Sequence, residues 1–286
     1  MKTFNHTQQT GKPLAFVIAT LFVWVSLLQN TEAVSPVPDG GYPGGNTAEG
    51  QNALLSLTTG TYNTAIGLFS LESNQEGQFN TGVGAGTLLA NTGHQNTAIG
   101  AGALLSNSTG VKNAANGTFA LFNNTTGNSN TASGVAALFN NNTGFNNTAI
   151  GYNALLSNTT AGDNTAIGTT ALFSSATGEF NIAIGSQALR DNVAGDSNTA
   201  IGDSAGFNIT GSGNVCIGAG VNGIAGENNI TRIRNVYESV ATERAVYVTS
   251  DNRIGTLSSS GRYKEQIKPI EKASEAIHSL RPVSFR

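Results

Sequence analysis

The pentapeptide Asn-Thr-Ala-Ile-Gly occurs five times, beginning at Asn63, Asn96, Asn147, Asn164 and Asn198. Aligned on this asparagine, the chain contains eleven related units that start 16 or 17 residues apart, from Asn46 to Asn214. The fifth position of every unit is glycine, from Gly50 to Gly218. So constant a period is typical of a repeat array, in which each unit packs against its neighbours.

A unit of 17 residues is too short for a helical pair, since such repeats need roughly 33 to 47 residues. The Asn-Thr-Ala-Ile-Gly segment has the two-residue period of a strand, and its glycine ends the strand by permitting a positive φ or a close backbone approach. We predict a second short strand over x-Ala-Leu-Leu-x-Asn and a turn at the following Thr-Gly. The predicted fold is therefore all-β, a parallel β-solenoid or β-roll of 17-residue coils over residues 46–226.

Three positions of the unit predict stacked columns. The alanine slot otherwise accepts only Gly82 and Cys216, which indicates close packing there. The next slot predicts a buried aliphatic ladder, made of Ile66, Val83, Ile99, Ile150, Ile167, Ile184, Ile201 and Ile217. A leucine ladder is predicted at residues 54, 71, 88, 104, 121, 138, 155, 172 and 189. Because aromatic residues make up only 7% of the chain, we expect a thin core.

These Asn-Thr-Ala-Ile-Gly…Ala-Leu units resemble the head repeats of trimeric autotransporter adhesins of the YadA type, although those repeats are usually shorter. The resemblance covers about residues 46–226. It implies a homotrimer in which three rolls pack side by side, with the small-residue slots allowing the close approach.

Few features of the repeats indicate chemistry. The acidic residues lie late and without the period of a calcium-binding β-roll, and the three histidines are scattered, so we expect no metal site and no cofactor. The second-position threonines are either ordinary half-buried strand residues or a flat array that binds ice or sugars. We interpret the Asn-x-Ser/Thr sequons as structural asparagines in turns or amide ladders. Cys216, at an alanine slot, is predicted to be buried.

The charge pattern and the amino terminus bear on partners and location. A net charge of -3 and the absence of a basic stripe argue against nucleic acid. Residues 1–33 have the pattern of a signal peptide, with an apolar run over 14–28 that is shorter than the roughly 20 residues of a membrane span; an uncleaved anchor is the alternative. Residues 34–45 form a Pro/Gly leader. We therefore expect a secreted or cell-surface protein without a membrane-spanning segment after cleavage near Ala33.

The composition changes after Gly226, since 16 of the 31 charged residues lie from Asn228 onward. Residues 227–257 predict a connecting β-hairpin, with strands before and after a turn at 250–252. A short amphipathic helix is predicted from Pro269 onward.

Residues 258–286, which read SSSGRYKEQIKPIEKASEAIHSLRPVSFR, closely resemble the opening of the intramolecular chaperone domain that ends phage tail fibres and endosialidase tailspikes. In that family a serine five residues before a lysine cuts the chain after the trimer has folded. The resemblance implies that Ser259 is a nucleophile and Lys264 its base. Ser260 stands where family members often carry aspartate, and the family's domain continues well beyond the match, so we expect a truncated chaperone that does not cleave itself.

The sequence thus predicts a secreted or surface-displayed structural fibre, adhesin-like and trimeric, with a host surface or glycan as its partner. Two alternatives stay open at this stage. One is a self-cleaving serine peptidase acting through Ser259 and Lys264, and the other is a solenoid that binds ice or a polysaccharide.

Overall fold

The computed structural model describes residues 42–235, 246–248, 250 and 253–256. Within them every regular element is a β-strand of three residues. The strands β1 to β14 are Thr47–Glu49, Thr64–Ile66, Thr81–Val83, Thr97–Ile99, Ala114–Asn116, Thr131–Ser133, Thr148–Ile150, Thr165–Ile167, Ile182–Ile184, Thr199–Ile201, Val215–Ile217, Thr231–Ile233, Val246–Val248 and Ile254–Thr256. The predicted all-β solenoid is confirmed.

Strands β1 to β12 form one parallel sheet in sequence order. Each strand pairs in register with the same positions of the next coil, as Thr148 does with Thr165 and Ile150 with Ile167. Every position of the unit therefore becomes a column along the solenoid, and we number the positions from the leading asparagine. The sheet extends one strand beyond the predicted end of the repeats, because β12 adds a twelfth rung at Thr231–Ile233.

The second strand that the sequence predicts in each coil is wrong. Positions 7 to 9 follow a turn-like path in which left-handed residues alternate with ordinary ones, for example Asn153 at φ 54° and Leu155 at φ 51°. Hydrogen bonds between coils continue all the same, since the Leu155 N–H donates to the Ala171 carbonyl at 3.0 Å. A left-handed conformation is costly for leucine. The regular bonds and the complete burial of Leu155 offset this cost.

The core consists of the leucine column at position 9 and two alanine columns at positions 3 and 8. The leucines from Leu71 to Leu189 are fully buried, which confirms the predicted leucine ladder and the thin core. Gly82 occupies position 3 in the one coil whose neighbouring position 8 residues are Ser70 and Thr87. A Cβ at Gly82 would lie 2.6 Å from the Ser70 Oγ. The larger side chains at position 8 therefore explain the smaller residue at position 3.

Two columns of buried asparagines hold successive coils together. At position 1, the Asn147 Oδ1 accepts the Asn164 N–H at 3.0 Å, while the Asn147 Nδ2 donates to the Ala161 carbonyl of its own coil at 2.8 Å. At position 12, the Asn124 Nδ2 donates to the Asn107 Oδ1 at 2.6 Å. Four of the sequon asparagines belong to this second ladder and are fully buried: Asn107, Asn124, Asn141 and Asn158. The structural interpretation of these sequons is confirmed.

The glycine column at position 5 has both properties that the sequence predicted. From Gly50 to Gly218 its φ lies between 114° and 140°. A Cβ on Gly151 would lie 2.4 Å from the Gly168 carbonyl oxygen. Consecutive coils therefore touch through glycine backbones at this corner, and any side chain would separate them.

The predicted burial of the Ile/Val column at position 4 is wrong. Ile66, Ile99 and Ile150 keep 41%, 44% and 41% of their surface exposed. Side chains alternate along a strand, so positions 2 and 4 point outward once the alanine of position 3 points inward. The small alanine slot, rather than the large isoleucine, marks the inward face.

The contacts divide the chain into two units, residues 1–234 and 235–286. In the second unit β13 and β14 pair antiparallel, with Val246 opposite Thr256, as the sequence predicted for the hairpin. The signal peptide, the amphipathic helix and the chaperone-like segment lie outside the described residues, as does the leader up to residue 41.

Candidate functional site: the Thr/Ile face

The outward positions 2 and 4 of strands β1 to β12 form one continuous surface, here called the Thr/Ile face. Its position 4 column carries the exposed isoleucines 66, 99, 150, 167, 184, 201, 217 and 233 and the half-buried Val83. The column is interrupted only by Glu49, Asn116 and Ser133. From β7 to β12 it is aliphatic without a break.

The position 2 column of the Thr/Ile face is mainly threonine, with side chains exposed or half-buried. Thr97 and Thr131 are exposed, while Thr148 and Thr165 are half-buried. Ala114, Ile182 and Val215 replace threonine in three coils, and these also suit a strand. Hydroxyl and methyl groups thus repeat along the face at the strand spacing of roughly 4.8 Å.

The Thr/Ile face carries no charge from β2 to β11, since every residue of its two columns there is aliphatic, hydroxylic or amide. A charge appears only at its first strand, as Glu49. An uncharged and partly apolar surface of this length is suited to contact with another ordered surface.

Charged residues close the carboxyl end of the solenoid core. Arg232 occupies the inward position of β12, opposite Cys216 of β11, and forms an ion pair with Glu227 in which its Nη2 lies 2.7 Å from the Glu227 Oε2. The hydrogen bond from Arg232 lowers the pKa of the Glu227 carboxyl, and the same bond raises the pKa of Arg232. Burial raises the pKa of the Cys216 thiol. A charged side chain thus occupies the inward slot of the last strand of this sheet, where the earlier strands carry small residues.

The predicted burial of Cys216 is confirmed, because it is fully buried in the position 3 column. Ser259 and Lys264, the dyad implied by the chaperone resemblance, lie outside the described residues. Within the residues that the structure describes, no three His, Cys, Asp or Glu side chains come close enough to hold a metal ion. Among those same residues no helix is long and apolar enough to cross a membrane.

Sequence reasoning identified both columns of the Thr/Ile face but placed the isoleucines inside. The signal that assigns them correctly is the restriction of position 3 to small residues, combined with strict alternation along a strand. The fold and its outward columns define the class of protein as a β-solenoid repeat protein. Comparisons with known protein families, with curated proteins and with solved structures gave no match to this chain.

Proposed function

We propose that the chain is the rod of a secreted or surface-displayed fibre, adhesin-like in role, whose copies associate as trimers through the Thr/Ile face. The observation that carries the proposal is the exposed aliphatic column from Ile150 to Ile233, six strands long without interruption. Single exposed isoleucines are ordinary on protein surfaces, but a contiguous column is not.

The spacing of the column favours a second copy of this chain as the occupant. Covering the rest of each isoleucine contributes on the order of 1 kcal/mol, so contact at one coil cannot offset the cost of association. Many coils must engage together, which requires a partner whose side chains repeat at the same strand spacing. A parallel copy meets this requirement along its entire length.

Sedimentation equilibrium of the secreted chain tests this proposal. We expect the mass of three chains, and we expect the double variant Ile150→Ser/Ile184→Ser to shift the population toward single chains. Ser133 and Asn116 already occupy this column, so the variant should fold. The matched control is Thr118→Ala/Thr169→Ala at position 6, where Ala85 and Ala101 occur naturally. A wild-type monomer, or equal dissociation of both variants, would contradict the proposal.

The resemblance of residues 258–286 to a tail-fibre chaperone supports a role for this segment in trimer assembly. Removing it should lower the yield of trimer without changing the mass of the trimer that forms. Intact-mass measurement of the secreted chain tests the remaining alternative of self-cleavage. A cut before Ser259 that the Ser259→Ala variant abolishes would establish the peptidase.

Ice binding is a second candidate, favoured by one observation. The threonines of position 2 lie in register along the sheet, and Thr97 and Thr131 are exposed. Ice binding requires that the Thr/Ile face is not covered by another copy of the chain. A monomeric protein that lowers the freezing point without lowering the melting point, and loses this activity in Thr131→Leu/Thr148→Leu, would support ice binding over assembly.

A further inference from the structure

A shallow groove runs along the solenoid between its position 11 and position 13 columns. In the fourth to seventh coils its first wall is Ser106, Asn123, Asn140 and Ser157, and its second wall is Thr125, Asn142 and Thr159. The residue between the two walls is the buried asparagine of position 12. Both walls in these four coils therefore consist of hydroxyl and amide groups.

The polar groups of the groove are only partly used within the protein. The Asn123 Nδ2 donates to the Asn140 Oδ1 at 3.2 Å, and the Thr125 hydroxyl bonds to Asn142 of the next coil. Among the described residues, the Asn140 and Asn142 Nδ2 groups and the Ser157 hydroxyl make no hydrogen bond to protein. Asn142 is exposed, and Asn140 and Ser157 are half-buried. The groove thus presents donors and acceptors at the spacing of successive coils, roughly 4.8 Å.

Aromatic rings lie in the column immediately before the first wall. At position 10 the Phe122 and Phe139 rings stack with centroids 5.1 Å apart and planes 3° apart, and Phe119 packs edge-on against Phe122 at 5.5 Å. The two stacked rings are half-buried, so part of each is accessible. Because the stacked rings cover each other's faces, they form an apolar border beside the polar wall. Amides and hydroxyls next to an apolar border match the two surfaces of a sugar ring, which has hydroxyl edges and an apolar face.

No ionisable side chain lines this part of the groove, so it suits a neutral ligand. A separate shallow groove lies beside Asp191, Asn208 and Thr210 near the carboxyl end of the solenoid. Between the two grooves the position 13 residues are Ala176 and Val193, which offer no hydrogen bonds from their side chains. The polar stretch is therefore confined to the fourth to seventh coils.

We propose that this stretch binds a neutral, extended polysaccharide, with one sugar residue lying over each coil. The coil spacing is similar to the length of a sugar unit in an extended glycan, so a regular polymer can repeat the same contacts. The inference rests on the proposed function, because a surface-displayed rod meets such polymers outside the cell. It differs from that function in using a groove apart from the Thr/Ile face.

Affinity electrophoresis of the full chain in gels containing hydroxyethyl cellulose, laminarin or dextran tests the groove. We expect at least one of these neutral glucans to retard the protein. The variant Asn140→Ala/Asn142→Ala should weaken its apparent affinity about thirtyfold, the effect of losing two hydrogen bonds of roughly 1 kcal/mol each. Alanine already occupies these columns at Ala90 and Ala176, so the fold should tolerate it. Phe139→Leu, which copies Leu105 and Leu156, should also weaken binding.

The matched control is again Thr118→Ala/Thr169→Ala, which should bind like the wild type. Retardation by none of the three glucans, or equal weakening in the control, would overturn the inference. Sedimentation of the same samples separates this result from the proposed function. A monomer that binds a glucan through the groove would contradict trimer assembly and support polysaccharide binding. A trimer that binds no glucan would support trimer assembly and contradict polysaccharide binding.

Discussion

At the scale of single residues, glycine is required at position 5 of the coil but not at position 7. Gly151 at position 5 has φ 138° and lies against the Gly168 carbonyl, so it needs both the conformation and the space. Gly86 at position 7 has φ 66°, and a Cβ there would meet its nearest neighbour, the Leu105 Cδ1, only at 3.5 Å. Position 7 elsewhere holds Phe119, Asn153 and other residues, so it needs no glycine.

Gly151→Val should therefore reduce the free energy of unfolding by several kcal/mol, through a strained φ and separation of adjacent coils. Thermal unfolding followed by circular dichroism measures the loss. The matched control Gly86→Ala copies Ala136 and should change stability by no more than about 1 kcal/mol. Equal melting temperatures for Gly151→Val and the wild type would contradict the close contact between glycines.

The same scale shows what the sequence could and could not predict. The glycine column, the alanine slot and the leucine ladder could be predicted from the residue types that occur at each position of the unit. Hydrophobicity alone misplaces the outward isoleucines, because a large apolar side chain is not always a buried one. Alternation at Ala149 and Ile150 decides the matter, since two adjacent strand residues cannot both face a thin core.

At the scale of elements, the asparagine ladders replace much of the hydrophobic core that a thicker domain would have. Between Asn74 and Asn192 the position 12 ladder breaks at one coil, where Ser175 stands in place of asparagine. The Asn158 Oδ1 and the Ser175 Oγ are both buried and have no hydrogen-bond partner. A buried polar atom without a partner costs roughly 1 to 3 kcal/mol.

Ser175→Asn should repair the ladder, because its Nδ2 can donate to the Asn158 Oδ1 as Asn158 itself donates to Asn141. We expect the free energy of unfolding to rise by about 1 kcal/mol, measured by denaturant titration. Ser174→Asn is the matched control. It lies at half-buried position 11, where Asn123 and Asn140 occur, and should have little effect. A destabilised Ser175→Asn variant would show that this coil cannot accept the ladder geometry.

The ion pair at the end of the solenoid makes part of the stability depend on pH. Arg232 lowers the pKa of Glu227 in the folded state, so the folded chain binds this proton less readily than the unfolded chain does. The contribution is present above the ordinary glutamate pKa and is lost as the pH falls through the lowered one. Because the pair is partly exposed, we expect at most about 1 kcal/mol.

Glu227→Gln should remove this acid-dependent part, so that its melting temperature converges with that of the wild type as the pH falls through the lowered pKa of Glu227. Melting curves recorded from neutral to acidic pH provide the measurement, with the exposed Glu76→Gln as control. A constant difference between Glu227→Gln and the wild type over this range would show that the pair does not govern the pH dependence.

The elements also show where prediction from sequence stops. The strands at the Asn-Thr-Ala-Ile-Gly segments could be predicted, because even a strand of three residues shows the alternation of outward and inward side chains. The sequence pattern of the Ala-Leu segments predicts strands, yet leucines such as Leu155 adopt a left-handed conformation that no propensity favours. The hydrogen bonds between coils and the burial of the leucine side chains stabilise this conformation, and both exist only once neighbouring coils have stacked.

At the scale of the whole molecule, the central claim is that the Thr/Ile face points outward and joins copies of the chain. Cross-linking by a short bismaleimide tests both parts in a Cys216→Ala background, which restores the alanine column. In a parallel trimer the same residue of each chain lies near the symmetry axis. Ile184→Cys should therefore cross-link into dimers on a denaturing gel, whereas Thr169→Cys at position 6 should not. Cross-linking at Thr169→Cys alone, or at neither position, would contradict the account.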